Sequence, residues 1–517
     1  MVGSGAAGVA AARQLAGTRS ILVLDVGHRP PPVPETEGTL HELRQRSPDL
    51  FDFLIGQRFE SLHNLHNPPV SLKLKAPLMT YILRDAAALS PHRANAFEAV
   101  MSFAAGGLAN AWGAGVYRFT PSDLADFPVT RAQLDPFYDD VGAHIGISGE
   151  DDDLLPHFGH EPVLQPPVQL SRFAADVLRG YQRRKPGLAA QGISLGRTRL
   201  AVLTRPHNNR PAYRYGNYEF FRPYDRAIYN PAFTLDELIA ANRIVYEPRQ
   251  LATTYTEHPD HVEVICRHTE TGEVQRFQGR TLILAAGAIN SAKLVLESNR
   301  DHDARLPLLD NPMACLPLFR LNRIGQALEP SDSSLGQLNL IYRQAGLVLQ
   351  GSIYGGPGPL RSDLIFQLPL AIGANLSLLR RLAVATGLLM MFYPCDPVPG
   401  NDLRLAPDGV LEIRCGTRPS LPARDVLLKA MRSMGCATAA ALWQYPAMGA
   451  GIHYAGTLPM RSQPGRYELD PAGRLSGTRR VFVADGAAFP RLPAKNLTYT
   501  IMANAARIAS SIPFEAL

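Results

Sequence analysis

The sequence predicts an α/β fold in which a parallel sheet is joined to a second domain that contains an antiparallel sheet. The first observation is a glycine-rich turn at Gly3–Gly8, which opens a helix and is followed by an apolar strand at 20–24. The second is a pair of apolar strands far along the chain: one at 281–287, which ends in glycine, and one at 481–484, which is followed by aspartate. Strands that end in such turns are typical of parallel sheets that bind nucleotides.

The glycine spacing in the first turn matches what a dinucleotide requires. In the run GSGAAG, Gly3 permits the tight turn, Gly5 lets the backbone approach a pyrophosphate, and Gly8 lets the helix pack on the strand. Asp25 follows Gly3 by 22 residues and would accept hydrogen bonds from ribose hydroxyls. The pattern favours dinucleotide binding, and an ordinary helix start in an α/β domain is the alternative.

The strand that should lead into this turn is nearly absent. Only Met1 and Val2 precede the first glycine, whereas a strand normally takes about five residues. Either the start of the chain is trimmed or misassigned, which we favour on this evidence, or the first strand is unusually short.

Composition indicates a soluble globular protein. At 517 residues the chain exceeds what one core supports, so two interleaved domains are expected. Hydrophobic residues make up 46% and charged residues 19%, and the net charge of +6 comes from scattered Lys and Arg. The absence of a basic stripe argues against nucleic-acid binding, although a basic cleft for an acidic substrate stays open.

The longest apolar stretch, 364–393, is interrupted by Pro369, Gly373 and Arg380–Arg381, so no transmembrane segment is expected. Its leucines suit either a helix core or a substrate tunnel.

Five cysteines lie far apart without metal-ligand spacing, so neither a metal site nor a disulfide framework is expected. The thiols are expected to be reduced, and the nucleotide motif occupies the place where a signal peptide would lie. Both features predict a cytoplasmic protein.

Two internal segments have the composition of a ligand site. Residues 106–115, GGLANAWGAG, contain four glycines, which suits a backbone lying against a flat ligand or a purely structural loop. After the strand at 281–287, the segment 288–296 is predicted to start a helix, with Asn290 or Ser291 near its N-cap. A hairpin is predicted from 401–405 and 410–413.

The C-terminal segment carries further candidates. The strand 481–484 ends at Asp485–Gly486, where a carboxylate and a tight turn would meet the nucleotide crevice. Thr498 is predicted to start the final helix, whose N-terminal dipole would favour an anionic ligand.

Five runs, in the order GSGAAG, GGLANAWGAG, TLILAAGAINSAKLVLES, HYAGTLPM and VFVADGAAFPRLPAKNLTYTIMANAARIA, resemble the glucose–methanol–choline (GMC) family of flavoprotein oxidoreductases. The resemblance extends over essentially the whole chain, loosely at 150–240 and 300–450. It implies a Rossmann-like FAD-binding domain of the type shared with p-hydroxybenzoate hydroxylase, and an α+β substrate domain on an antiparallel sheet. The implied boundaries are 1–150, 240–300 and 465–517 for the FAD-binding domain, and 151–239 and 301–464 for the substrate domain.

The resemblance also implies the residues of the site. His453 lies at the position of the family's catalytic histidine, and Asn496 lies where the family places a second His or Asn. Alcohol oxidation suits both, because a neutral imidazole takes the hydroxyl proton and an amide donates to the developing alkoxide. A structural histidine and a helix cap are the alternatives. The implied cofactor-binding residues are Gly3, Ser4, Gly5, Ala6, Ala7, Gly8, Asp25, Val26, Gly106, Gly107, Asn110, Ala111, Trp112, Gly113, Leu251, Ala286, Gly287, Asp485, Gly486, Asn496, Leu497 and Thr498.

Two departures from the family pattern matter. Several members attach FAD through a histidine in the glycine-rich loop, but the aligned residue here is Ala111, so non-covalent FAD is expected. Asn496, in place of a second histidine, is similar to sterol and pyranose oxidases.

The predicted activity is FAD-dependent oxidation of a small-molecule alcohol by hydride transfer to flavin N5, with His453 as base. Oxygen or another electron acceptor would then reoxidise the cofactor. The apolar stretch 364–393 favours a bulky hydrophobic alcohol such as a steroid, terpenoid or polyketide intermediate. Two alternatives stay open: a non-redox lyase that contains FAD, and a sugar oxidase or dehydrogenase.

Overall fold

The computed structural model describes residues 1–31, 56–57, 74, 77–215, 226–329, 331–333, 335–355, 371–416 and 421–513. The first part of the apolar stretch, before residue 371, lies outside these residues. The described α-helices are α1 (Ala6–Leu15), α2 (Ala86–Leu89), α3 (Arg131–Ile145), α4 (Leu155–Phe158), α5 (Arg172–Ala189), α6 (Pro231–Ala240), α7 (Ala288–Asn299), α8 (Ile372–Leu382), α9 (Arg424–Ser433) and α10 (Thr498–Ser511).

The described strands are β1 (Leu22–Leu24), β2 (His92–Asn95), β3 (Ile147–Ser148), β4 (Leu164–Gln165), β5 (Ile193–Arg197), β6 (Val245–Glu247), β7 (Gln250–Glu257), β8 (Val262–His268), β9 (Val274–Gly279), β10 (Leu282–Leu284), β11 (Leu306–Pro307), β12 (Met313–Phe319), β13 (Gly336–Gln344), β14 (Leu347–Gly355), β15 (Thr386–Phe392), β16 (Asn401–Leu405), β17 (Leu411–Cys415) and β18 (Val481–Val483).

A parallel sheet underlies the glycine-rich turn. β6 pairs with β1, β10 pairs with β18, and Val2 bridges the two pairs by parallel contacts to Leu24 and Leu284. The strands predicted at 20–24, 281–287 and 481–484 are confirmed in one sheet, each shorter than predicted. Val2 alone occupies the place of the central strand. The helices α1 and α10 pack against each other beside this sheet.

A five-stranded antiparallel sheet, in the order β12-β15-β14-β13-β5, forms the second large layer. One of its faces buries Leu316, Leu340 and Leu389 against α5 and α9, because alternate residues of a strand point to the same side. Met313 and Phe392 lie on its other face, in a separate apolar cluster.

Smaller sheets complete the fold. β7, β8 and β9 form an antiparallel sheet, and the predicted hairpin is confirmed as β16 and β17. The order β11-β16-β17-β2 makes this hairpin part of a four-stranded sheet. In the parts of the chain that are described, no helix is long and apolar enough to cross a membrane.

Both predicted helix starts are confirmed. The last helix, α10, begins at Thr498. α7 begins at Ala288 with Gly287 as its N-cap, and Asn290 and Ser291 lie close to that cap in the first turn. Gly287 has φ +86°, a conformation that glycine adopts without strain.

Candidate active site

A cavity of about 520 Å³ opens at the carboxyl ends of the parallel strands. Its volume lies in the range of ligand pockets, and its place in the sheet is where open α/β sheets bind ligands. The lining begins at the first glycine turn and extends to Ile452–Tyr454. The cavity therefore connects the predicted dinucleotide turn with the predicted catalytic histidine.

Most of the predicted cofactor-binding residues line this cavity, namely Gly3, Ser4, Gly5, Ala6, Ala7, Asp25, Val26, Gly106, Gly107, Leu251, Ala286, Gly287, Asp485, Gly486, Leu497 and Thr498. The predicted residues outside its lining are Gly8, Asn110, Ala111, Trp112, Gly113 and Asn496. The lining also contains residues that sequence reasoning missed, among them Met101, Leu108, Gln250, Lys293 and Ile501. No sequence motif marks these residues. What each residue binds stays a prediction.

The first turn needs two of its three glycines for the protein's own packing. Gly3 has φ +95°, and a Cβ there would lie 2.5 Å from the carbonyl oxygen of Ala285. A Cβ on Gly8 would lie 2.1 Å from the carbonyl oxygen of Gly3. Gly5 differs, because the nearest atom to a Cβ there is the Cα of Gly107 at 4.0 Å. No contact among the described residues therefore requires glycine at this position, and its backbone faces the cavity.

The two glycine-rich segments meet at this point. A Cβ on Gly107 would lie 3.4 Å from the Cα of Gly5, and the backbone N–H of Gly106 donates to the Ser4 hydroxyl at 3.3 Å. Together they expose backbone near the N-terminus of α1. Such a surface fits a diphosphate, because unpaired N–H groups and the helix dipole attract anions.

Asp25 lies next to this surface and is 9% exposed. Its Oδ2 accepts a hydrogen bond from the Ser4 backbone N–H at 3.2 Å and another from the Ser4 hydroxyl. Burial raises the pKa of Asp25 to about 6, and the hydrogen bonds from Ser4 oppose that shift. Above about pH 6 the group is therefore a carboxylate that can accept hydroxyl hydrogen bonds.

Asn110 and Trp112 support the second glycine segment. The Asn110 amide donates to the carbonyl oxygens of Ala105 and Gly107 at 2.9 and 2.7 Å. The Trp112 indole N–H donates to the Tyr229 carbonyl at 2.8 Å. These bonds hold the loop in shape, so both side chains bind protein groups.

Asp485 connects two neighbouring strand ends. Its Oδ2 accepts from the Gly287 N–H at 2.8 Å and from the Ser291 hydroxyl, and its Oδ1 accepts from the Ala487 N–H at 2.9 Å. The side chain is 3% exposed, and burial raises its pKa. Asp485 therefore shapes the lining by joining the segments that follow β10 and β18.

His453 is held by contacts on its ring and its backbone. Its Nδ1 lies 3.0 Å from the Oδ1 of Asn311, and its ring stacks on Phe392 with centroids 4.7 Å apart. Burial lowers the pKa of His453 to about 4. The imidazole is therefore neutral near pH 7, which is the form that accepts a proton.

Asp310 is a structural support that sequence reasoning missed. Its two oxygens accept from the backbone N–H groups of Gly449 at 2.7 Å and of His453 at 3.0 Å. Burial raises the pKa of Asp310 to about 7, opposed by these two hydrogen bonds. No local pattern predicts the role, because the partners lie 139 and 143 residues away in sequence.

Asn496 lies at the second glycine segment. Its Oδ1 is 3.2 Å from the position that a Cβ would occupy if Gly115 had one, beside the ring of Tyr117. No described residue forms a hydrogen bond with its side chain. The neighbouring Lys495 is buried and pairs with Asp123, so the backbone that carries Asn496 is anchored on one side.

The sheet face beside His453 carries apolar, uncharged side chains. Met313, Phe392 and Ala494 form a buried cluster, with Cys315 and Met390 packed against it. Burial raises the pKa of the Cys315 thiol to about 12, so this thiol is neutral at pH 7. In the described parts of the chain, no group of three or more His, Cys, Asp or Glu side chains is arranged to hold a metal ion.

Comparisons with known proteins concern the C-terminal part of the chain and the overall fold. Residues 426–505, which contain His453 and Asn496, match the C-terminal model of the GMC oxidoreductase family. The fold is similar to the crystal structure of pyridoxine 4-oxidase from Mesorbium loti, with a TM-score of 0.59 and 14% sequence identity, covering 98% of this chain and 97% of that one. A comparison with curated protein sequences finds no match. The C-terminal part of the chain therefore resembles the GMC oxidoreductase family in sequence, and the whole chain shares the fold of pyridoxine 4-oxidase.

Proposed function

We propose that this chain binds FAD non-covalently and oxidises an alcohol, with His453 as the base. The observation that carries the proposal is the continuous cavity from the bare backbone at Gly5 and Gly107 to the neutral imidazole of His453. The structural neighbour supports it, because that protein is by its name an oxidase.

The residues present fit the parts of FAD. Gly3–Ala7 and Gly106–Gly107 would hold the diphosphate, and Asp25 would accept hydrogen bonds from the ribose. The N-terminus of α10 lines the cavity at Thr498, where its partial positive charge favours an anionic group. When bound, FAD would supply N5 as the acceptor of the hydride that leaves the alcohol carbon.

The protein's own residues would handle the alcohol oxygen. His453 would take the hydroxyl proton on its ring nitrogen as the C–H bond gives up its hydride and the carbonyl forms, which leaves a neutral aldehyde or ketone. The Asn496 amide would donate a hydrogen bond to the oxygen without competing for the proton. Phe392 keeps the imidazole plane in place by stacking.

For the substrate, we propose a bulky hydrophobic alcohol. Met313, Met390 and Phe392 make the sheet face beside His453 apolar, and such a surface favours an apolar skeleton. Oxygen or another acceptor would reoxidise the cofactor. A cytoplasmic location stays a prediction.

We also propose the division into an FAD-binding domain at 1–150, 240–300 and 465–517 and a substrate domain in the remainder. It is supported by the origin of the parallel strands β1, β6, β10 and β18, all of which come from the first set. The antiparallel strands β5 and β12–β15 come from the second set. Two strand pairings cross the division, since β2 pairs with β17 and β3 pairs with β4.

The proposal is tested by mixing the purified protein with a panel of hydrophobic and sugar alcohols without oxygen, and recording flavin absorbance. We expect bleaching with hydrophobic alcohols, and dithionite serves as the positive control for a reducible flavin. Bleaching with sugars alone would overturn the hydrophobic substrate and indicate a sugar oxidase or dehydrogenase. A spectrum that stays oxidised with every alcohol, in a protein that dithionite reduces, would contradict alcohol oxidation and favour the lyase alternative.

The non-covalent attachment has its own expected result. Because Ala111 stands where related proteins carry a tethering histidine, acid precipitation should release all yellow colour into the supernatant. The measurement is the flavin absorbance of supernatant and redissolved pellet. Colour that stays with the pellet would contradict non-covalent attachment of FAD.

A further inference from the structure

The side chain of Asn311 is fully buried, and its orientation is determined by two backbone carbonyls. Its Nδ2 lies 2.8 Å from the carbonyl oxygen of Tyr393 and 3.0 Å from that of Pro493. A carbonyl oxygen only accepts hydrogen bonds, so the amide nitrogen must face these two groups. The amide oxygen of Asn311 therefore points the other way.

That oxygen faces His453. The Oδ1 of Asn311 lies 3.0 Å from the imidazole Nδ1. An amide oxygen has no proton to donate, so the bond forms only when Nδ1 carries one. In a neutral imidazole the second nitrogen, Nε2, then has a free lone pair.

The neighbouring contacts leave the ring little freedom to choose the other tautomer. Asp310 holds the His453 backbone N–H at 3.0 Å, and Phe392 lies against the ring. Rotating the ring would leave the Asn311 oxygen unpaired in a buried site, which costs about 1–3 kcal/mol. Asn311 also connects this ring with Pro493, three residues before Asn496.

We propose that Asn311 is a positioning residue that holds His453 in the tautomer with the proton on Nδ1, and so makes Nε2 the atom that accepts the alcohol proton. This inference rests on the proposed function for its consequence in catalysis. The tautomer itself is a property of the resting protein and is measurable without substrate.

The first test is therefore spectroscopic. Protein labelled with ¹⁵N in its histidine rings is examined by two-dimensional NMR at pH 6 to 8, and the His453→Gln variant identifies the His453 signals by their loss. We expect a protonated Nδ1 and an unprotonated Nε2. A proton on Nε2, or an even mixture of tautomers, would overturn the proposal whether or not any alcohol is oxidised.

The second test uses Asn311→Asp. The carboxyl group keeps an acceptor oxygen at Nδ1, but its second oxygen replaces the amide nitrogen that donates to the carbonyls of Tyr393 and Pro493. Once this group ionises, its negative charge beside the ring raises the pKa of His453 by about 1–3 units. The other titratable groups around His453 are Asp310, which accepts its backbone N–H, Tyr454, which follows it in sequence, and Glu98, whose charge raises the pKa of Asp310. Cys315 packs against the apolar cluster that contains Phe392. By NMR, we expect the His453 ring to take up its second proton at a higher pH than in the wild type. Flavin reduction should fall about tenfold per pH unit below the new pKa and recover at alkaline pH.

Asn504→Asp is the matched control, because Asn504 is equally buried but bonds to Arg507 in α10. Its pH profile should equal that of the wild type. If Asn311→Asp loses activity equally at every pH, or if NMR shows His453 protonated at a higher pH while flavin reduction keeps the wild-type profile, Asn311 does not act through the protonation of His453. Asn311→Ala adds a third measurement, with a mixture of the two tautomers as the expected NMR result.

Discussion

Replacing His453 with glutamine is expected to leave FAD bound and to slow anaerobic flavin reduction by an alcohol by at least about 10²-fold. Glutamine retains polar atoms of similar reach but accepts no proton at neutral pH. The imidazole it replaces is neutral there, because burial lowers its pKa to about 4. Stopped-flow absorbance at the flavin band measures the rate, and the absorbance ratio of flavin to protein measures cofactor content.

His258→Gln is the control, because His258 stacks on His261 after β7 and is not part of the cavity lining. Its reduction rate should equal that of the wild type. The pH dependence adds a second check. Since the neutral form of His453 persists until the pH approaches about 4, wild-type reduction should not decline on acidification from pH 8 to 6 through this group. Reduction of His453→Gln at nearly the wild-type rate would assign the base to another residue.

Changes to the first turn should have the other large effect. In Gly8→Ala, the new methyl group would lie 2.1 Å from the carbonyl oxygen of Gly3, and both atoms belong to rigid backbone segments. We expect the turn and α1 to be displaced, with loss of bound FAD and of most soluble protein. Yield of soluble protein and its flavin absorbance are the measurements.

Gly5→Ala separates cofactor binding from folding. Gly5 has φ −67°, and among the described residues the atom nearest to its Cβ position is the Cα of Gly107 at 4.0 Å, so alanine fits the protein itself. The methyl group would occupy space at the cavity edge, where a diphosphate has to approach the backbone. We expect a folded protein of nearly unchanged thermal stability without added cofactor, and an affinity for FAD that falls by at least about tenfold, roughly 1.4 kcal/mol.

Gly187→Ala is the matched control for Gly8→Ala and Gly5→Ala. Gly187 lies in α5 with no atom within 4 Å of its Cβ position, so alanine there should be neutral or stabilise by up to about 1 kcal/mol. Its FAD content should be unchanged. If Gly5→Ala binds FAD as tightly as the wild type, the diphosphate does not lie on the surface formed by Gly5 and Gly107.

The helix α7 shows what the sequence predicted in the fold and what it missed. The segment 288–296 predicts the start of this helix correctly. No local pattern predicts that Asp485, 198 residues from Gly287, accepts the Gly287 N–H and the Ser291 hydroxyl. The central strand is similar: Val2 completes the sheet because both of its neighbours, Leu24 and Leu284, supply the pairing groups.

The sequence by itself determined the parts of this protein that depend on contiguous residues. These are the glycine turn with Asp25, the apolar parallel strands, the start of α10 at Thr498, and His453 as the candidate base. Each depends on local spacing, because turn geometry and strand hydrophobicity act over a few residues. The family resemblance came from the order of these local runs.

Only the tertiary structure decided how the site is assembled. Gly5 and Gly107 form one surface, Asp310 holds the backbone of His453, and Asn311 determines which of its nitrogens is free. The Asn311 side chain bonds to groups 82 and 182 residues along the chain. Contacts between such distant segments leave no periodic pattern in a single sequence, because they depend on how the layers pack and not on local conformation.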